Sequence, residues 1–522
     1  MKNLLFLILL IAVSCSHQKY DLVILNGNII DGNNQEAFQS DLGIKDGRII
    51  KVGLIGKYTT AETIDASGLI VAPGFIDLHT HLEPLENMPE TQSHIMQGVT
   101  TALGGPDGSS PWPFGAYLRK LDSIGVGMNV GYLIGHNTVR RNIMNLDNRA
   151  PTPEELDSMK LQIGQGMEEG AFGISTGLKY LPGTFSDVEE VIELSAVAAD
   201  KGGFYTSHLR EEGLGLLDAV AEAIDIGRMA NIPIVLTHHK VVGKPMWGKS
   251  SRTLAMVDSA NAAGLDIMID QYPYTASHTG IGILIPTWAR AGGNEEFKKR
   301  INDPQLRDSI KQGIIFNIIN DRGGDDLNRV QFSRVRWNKE LEGKRLKDWA
   351  IMEGLEPTIE NGAELVIKAQ LNGGANCIFH AMDEEDVKAI MKHPKTMIAS
   401  DGRLNELGDG HPHPRAYSTF PRVLGHYVRD EQVIPLHTAV FKMTGLPAAR
   451  MGLADRGFIE EGMHADITIF NAETIIDKAT FLEPHQYPEG IIHVLVNGKL
   501  SVKDGQFLNQ RNGKVLKGPA TK

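Results

Sequence analysis

The sequence predicts a (β/α)8 barrel joined to a small β-sandwich domain formed from both chain ends. Three observations carry that expectation. Eight apolar strand candidates alternate with helical stretches through the middle of the chain, several of those helices have explicit start signals, and short strands with turn dipeptides occur at both ends. A length of 522 residues allows more than one domain. The net charge of -12, with no lysine or arginine run that could track a phosphate backbone, argues against a nucleic-acid partner.

The elements follow in chain order. Residues 1–19 have a basic start, a short apolar segment and small residues before Cys15. A permanent membrane helix needs about 20 apolar residues, so this stretch reads as a cleaved signal with a lipobox-like Cys15. The expectation is export to a bacterial periplasm with a lipid anchor at Cys15, which leaves Cys377 as the sole other thiol and no intrachain disulfide. Residues 20–71 form the first part of the β domain, with Asn26-Gly27 and Asp46-Gly47 as hairpin signals, and residues 451–522 form its second part.

Between them, residues 72–450 supply the barrel. Its strands are expected at Phe75–His79, Val99–Leu103, Gly127–Ile134, Ala171–Thr176, Phe204–His208, Ile232–His238, Leu265–Asp270 and Thr396–Asp401. Thr152 with Glu155, and Ser186 with Glu189, mark helix starts. The stretch 280–395 is too long for a connection and reads as an insertion over the barrel mouth, with an extra strand near Asn376–His380.

The chemistry gathers at the strand ends. In Val71-Ala-Pro-Gly-Phe-Ile-Asp-Leu-His-Thr-His81, alternation along an extended chain turns His79 and His81 to one side and Thr80 to the other. His208, His238 and Asp401 end three further strands, at the barrel face where catalytic groups collect. Imidazoles with a carboxylate suit one or two zinc ions, with manganese or cobalt as substitutes. Asp401 is then placed as general base and afterwards general acid.

These residues resemble the amidohydrolase superfamily, and within it the D-aminoacylases, the N-acyl-D-amino-acid deacylases. The resemblance runs from about Tyr20 to Gln506. It is carried by Ala72-Pro-Gly-Phe-Ile-Asp-Leu-His-Thr-His81, Ser207-His-Leu-Arg-Glu211, Thr237-His-His-Lys240, Tyr272-Pro-Tyr-Thr275, Ala399-Ser-Asp-Gly402 and His411-Pro-His-Pro-Arg415. It implies that His208 and His238 hold the tighter zinc, while His79, His81 and Asp401 face a second metal position. It also implies that Lys240 and Arg415 contact the substrate's carboxylate groups and that Tyr274 supplies a hydroxyl donor; Arg403 is a further cation at the mouth, suited to an acidic side chain.

One departure stands out. Where the family places a cysteine ligand, this chain has Gly105-Pro-Asp-Gly108, so Asp107 takes the cysteine's place as the candidate bridge. Lys179, carbamylated, is the alternative bridge. The implied activity is hydrolysis of an N-acyl-D-amino acid by attack of water on the amide carbonyl. A dipeptidase for peptides containing D-amino acids, a cyclic-amide hydrolase and a non-catalytic binding lipoprotein are the competing readings.

Overall fold

The computed structural model describes residues 18–322 and 326–521, so Cys15 and nearly all of the stretch read as a signal lie outside the described residues. Eight parallel strands make the barrel: β1 (Phe75–Asp77), β2 (Val99–Gly104), β3 (Asn129–Tyr132, resumed at Ile134–Gly135), β4 (Gly173–Gly177), β5 (Phe204–His208), β6 (Ile234–Leu236), β7 (Ile267–Gln271) and β8 (Thr396–Ile398). β4 to β8 are buried along their whole length, as strands covered on both faces must be. The ring closes where the Asp401 N–H donates to His79 O at 2.8 Å and Gly402–Arg403 pairs with Thr80–His81. Closure therefore falls between the first and last metal-candidate stretches.

Local signals in the sequence mostly hold. Thr152 and Glu155 form a reciprocal capping box at the start of Pro153–Glu169. The next helix, Val188–Ala199, begins one residue later than Ser186 suggests: Asp187 accepts from Glu190 N, while Ser186 Oγ donates to Gly183 O. Asp46-Gly47 is a true hairpin turn, with φ of 52° and 76°, but Asn26-Gly27 is not. The strand Leu22–Ile29 runs straight through that dipeptide, with a register shift between Ile24 and Gly27. Asn26 at φ 58° therefore makes a bulge where the dipeptide predicted a turn.

The β domain is built from both ends as expected, in one nine-stranded sheet. The ends meet where Ile70–Pro73 pairs antiparallel with Ile467–Phe470, and Ile24, Ile44, Val71, Ile467 and Leu495 share a core. The insertion is a lobe with its own core, including Phe297, Ile314, Phe332, Trp349 and Val366. Its three-stranded antiparallel sheet joins Ser277–Gly280, Asn376–Phe379 and Val330–Arg334. The lobe starts and ends earlier than 280–395: Glu384–Lys392 packs on Ser250–Ala262 and on β8, as a barrel helix does.

Candidate metal centre

At the C-terminal face of the barrel a cavity of about 350 Å³ is lined by His81, Asp107, His208, His238, Lys240 and Asp401 among others. Two ligand groups lie in or beside it, His79 with His81, Asp107 and Asp401, and Asp107 with His208 and His238. Asp107 belongs to both. Its Oδ1 lies 3.5 Å from His79 Nε2 and 3.3 Å from His238 Nε2; its Oδ2 lies 3.6 Å from His81 Nε2 and 3.7 Å from His208 Nδ1.

The loop after β2 is shaped to bring this carboxylate in. Asp107 has φ 54° between Gly105 and Gly108, both at φ 75°. A Cβ on Gly108 would fall 2.1 Å from Asn137 Oδ1, and one on Gly105 would fall 2.5 Å from Leu133 O. His238 and Asp401 are also left-handed, at φ 36° and 46°. Non-glycine residues held there are strained, and such strain concentrates at functional sites.

The buried polar inventory fits a metal. Both ring nitrogens of His79 and His208, His238 Nε2 and Asp107 Oδ1 have no hydrogen-bond partner among the described residues. Buried polar atoms are ordinarily paired, and the orphans that face one another, His79 Nε2, His208 Nδ1, His238 Nε2 and Asp107 Oδ1, suit a cation bound among them. Burial pushes the His208 imidazole down to about 4, which keeps it neutral and able to donate a lone pair. Burial alone would raise the Asp107 carboxyl, but His238, His79 and His208 outweigh it and hold it well below the usual carboxylate range. Asp401 is likewise ionised because Arg415 and His79 override its burial.

The cations predicted for substrate binding divide. Lys240 and Arg415 are buried at the pocket, Arg415 Nη1 lying 2.9 Å from Asp401 Oδ2. Arg403 sits at the rim, paired with Glu83 at 3.3 Å. Two predicted residues are not brought to the centre. Tyr274 is buried away from the pocket beneath Arg422, whose guanidinium is 4.9 Å from its ring; the pocket tyrosine is Tyr272, with Arg415 4.6 Å above its ring. The cause is the tight turn at Pro273, where Tyr274 N–H donates to Tyr272 O and parts the two rings. Lys179 lies outside both ligand groups, its ammonium engaged by Glu211 and 3.7 Å from Asp321.

Residues that sequence reasoning missed surround the second group. Glu212, four positions after His208, is 2% exposed and accepts from Lys240 Nζ and from Arg322 Nη2 at 2.9 Å. Burial raises its carboxyl, yet Lys240 and His208 hold it well below the usual range. Arg322, from the lobe, is 1% exposed. Tyr180 packs its ring 4.4 Å from that of His208. The i+4 spacing of Glu212 was a readable signal; nothing local marked Arg322 or Tyr180.

An amidohydrolase family model matches residues 62–288 and 320–502. D-aminoacylase of Alcaligenes xylosoxydans xylosoxydans is 35% identical over 96% of this chain and 98% of its own length. N-acyl-D-glutamate deacylase of the same organism is also 35% identical, over 92% and 93%. The crystal structure of N-acyl-D-glutamate deacylase from Bordetella bronchiseptica, complexed with zinc and a phosphonate mimic of the tetrahedral intermediate, superposes with a TM-score of 0.80. The match has 33% identity and covers 96% of this chain and 100% of that one.

Proposed function

The chain belongs to the amidohydrolase family, and on that premise we propose that it is a metal-dependent deacylase of N-acyl-D-amino acids. The observation that carries this reading is the convergence of unpartnered histidine nitrogens on Asp107 beneath a pocket holding Lys240 and Arg415. His208, His238 and Asp107 would hold one zinc ion; His79, His81, Asp401 and Asp107 would hold a second, or manganese or cobalt in its place. Such an ion supplies Lewis acidity at the scissile carbonyl and a nucleophile at neutral pH.

The chain's own residues do the rest. Asp401 takes a proton from the attacking water and passes it to the leaving nitrogen. Arg415 offers the α-carboxylate a two-pronged fork and Lys240 a point charge. Burial raises the Tyr272 phenol and keeps it a donor beside them. Lys179 keeps its ion pairs and takes no part in ligation.

The test is turnover by zinc-loaded protein of N-acetyl-D-amino acids against their L enantiomers, dipeptides with a D residue, hydantoin and dihydroorotate. Selective release of D-amino acids supports the reading. Turnover confined to dipeptides or cyclic amides would redirect it, and ligand binding without turnover would make the protein a binding protein. We further propose export and lipidation at Cys15; a Cys15→Ala chain should lose lipid labelling and membrane association, and unchanged fractionation would dismiss the anchor.

A further inference from the structure

The loop that carries Asp107 is fastened to the barrel by a strand other than its own. It leaves β2 after Gly104, and fully buried Ser175, in the middle of β4, meets it twice. The Ser175 hydroxyl donates to Gly105 O at 2.6 Å and accepts from Gly108 N–H at 3.1 Å. One hydroxyl can do both because it has one proton and two lone pairs. The two bonds fall on the residues that flank Pro106 and Asp107, the ends of the turn in which Asp107 has φ 54°. Glycines of the neighbouring strands make room for that turn. A Cβ on Gly135 would fall 2.3 Å from Gly108 O, and one on Gly177 would fall 2.2 Å from Asp107 O. Asp107 Oδ1 accepts no hydrogen bond among the described residues, so the backbone of the loop aims this carboxylate.

We propose that Ser175 is a positioning residue for the shared carboxylate. By tying Gly105 to Gly108 it holds Asp107 in the left-handed conformation and so sets where its oxygens stand among His79, His81, His208 and His238. The inference rests on the metal reading above but not on the identity of the substrate. Other groups secure one end of the loop: Thr138 N–H donates to Gly108 O at 3.0 Å, and the Asn137 amide bonds both N–H and C=O of Gly177, on which Asp107 O packs. Among the described residues Ser175 is the side chain that grips both ends. Without its hydroxyl, Gly105 O and Gly108 N–H would lose their buried partner, and a turn strained at a non-glycine residue would be free to relax. A ligand common to both metal groups would then shift although no ligand had been replaced.

The experiment reads the metal. Zinc affinity of Ser175→Ala, measured by competition with a chelator, should fall by about 10- to 100-fold, the range for losing a group that orients a ligand. The visible spectrum of the cobalt-loaded variant should also differ from the parent's, because the geometry of the ligands has changed. A merely structural serine would lower the thermal midpoint and leave affinity and spectrum as they are; that result overturns the proposal. Ser175→Thr and Ser175→Val match each other in shape, so the threonine variant should bind zinc more tightly, and equal affinities overturn it as well. If none of these variants folds, the structure of the zinc-loaded parent decides: Asp107 on the zinc with Ser175 Oγ bonded to Gly105 O and Gly108 N supports the proposal, and a hydroxyl turned from either overturns it. Zinc loss in Ser175→Ala beside a zinc-loaded parent without deacylase activity would defeat the functional reading alone. An active parent whose Ser175→Ala variant keeps its zinc affinity and cobalt spectrum would defeat this one alone, and a parent that takes up no zinc would defeat both.

Discussion

His208 and His238 are enclosed by charge from the interior, with Glu212 behind both rings, Lys240 beside them and Arg322 reaching in from the lobe. His79 and His81 are supported differently. His79 Nδ1 lies 3.6 Å from Asp270 Oδ1, whereas His81 turns Nδ1 to Glu83 at 3.2 Å, with 24% of its side chain open to solvent. Asp401 stands on this second side, next to Arg415. The His208–His238 half is thus buttressed by buried charge, whereas the other half reaches solvent at His81. Asp107 belongs to both ligand groups, so it is the residue through which the halves can be told apart.

Removing that shared carboxylate should have the largest effect. Asp107→Ala is expected to empty both positions, with elemental analysis near zero and no measurable turnover; retention of a full zinc equivalent would transfer the bridge elsewhere. Asp107→Cys sharpens the same point, since a thiolate prefers zinc to manganese, and metal competition should show manganese occupancy lost before zinc. Asp401→Asn should strike the open half alone: kcat is expected to drop by about 10²- to 10⁴-fold, the usual worth of a positioned acid–base group, while zinc at the enclosed half stays. Undiminished turnover would remove Asp401 from proton transfer.

A smaller effect concerns β8, the strand that delivers Asp401. Buried Lys442 donates to His393 O at 2.5 Å and Thr396 O at 2.9 Å, and burial lowers its ammonium to about 7 from 10.5. Between those values the unfolded chain binds more protons than the folded one, so this group makes stability rise as pH increases from 7 toward 10. Thermal midpoints of Lys442→Met should show a flatter rise over that range; an identical slope would mean that Lys442 is charged when folded. Lys179→Ala should matter least. Its pair with Glu211 is partly exposed, and loss of such a pair is worth about 0–1 kcal/mol, with metal content unchanged. A variant that lost metal would restore Lys179 as a ligand.

What could be read in advance follows from range. The histidines at the ends of β1, β5 and β6, and Asp401 beyond β8, were legible because buried parallel strands announce themselves as apolar runs and a barrel gathers their ends on one face. Asp107 was legible only through the resemblance, as the residue standing where the family places a cysteine; the left-handed backbone that brings it in is a finding of the structure. Tyr274 was placed at the pocket by the resemblance alone, and the turn at Pro273, which parts the two rings, gives that place to Tyr272. Asn26-Gly27 misled because the dipeptide specifies a positive φ, and a bulge uses it as well as a turn does.

By itself the sequence determined the barrel, the β domain built from two ends, the lobe in outline and the ligand types on the strand ends, all properties set by period and spacing. Tertiary structure alone decided that Glu212 and Arg322, 110 residues apart, meet behind the histidines, that Tyr272 rather than Tyr274 enters the pocket, and that Lys179 turns to Glu211. The physical reason is that a buried charge is placed by whichever opposite charge can neutralise it, and that partner comes from anywhere in the chain, whereas a strand end is placed by its own neighbours.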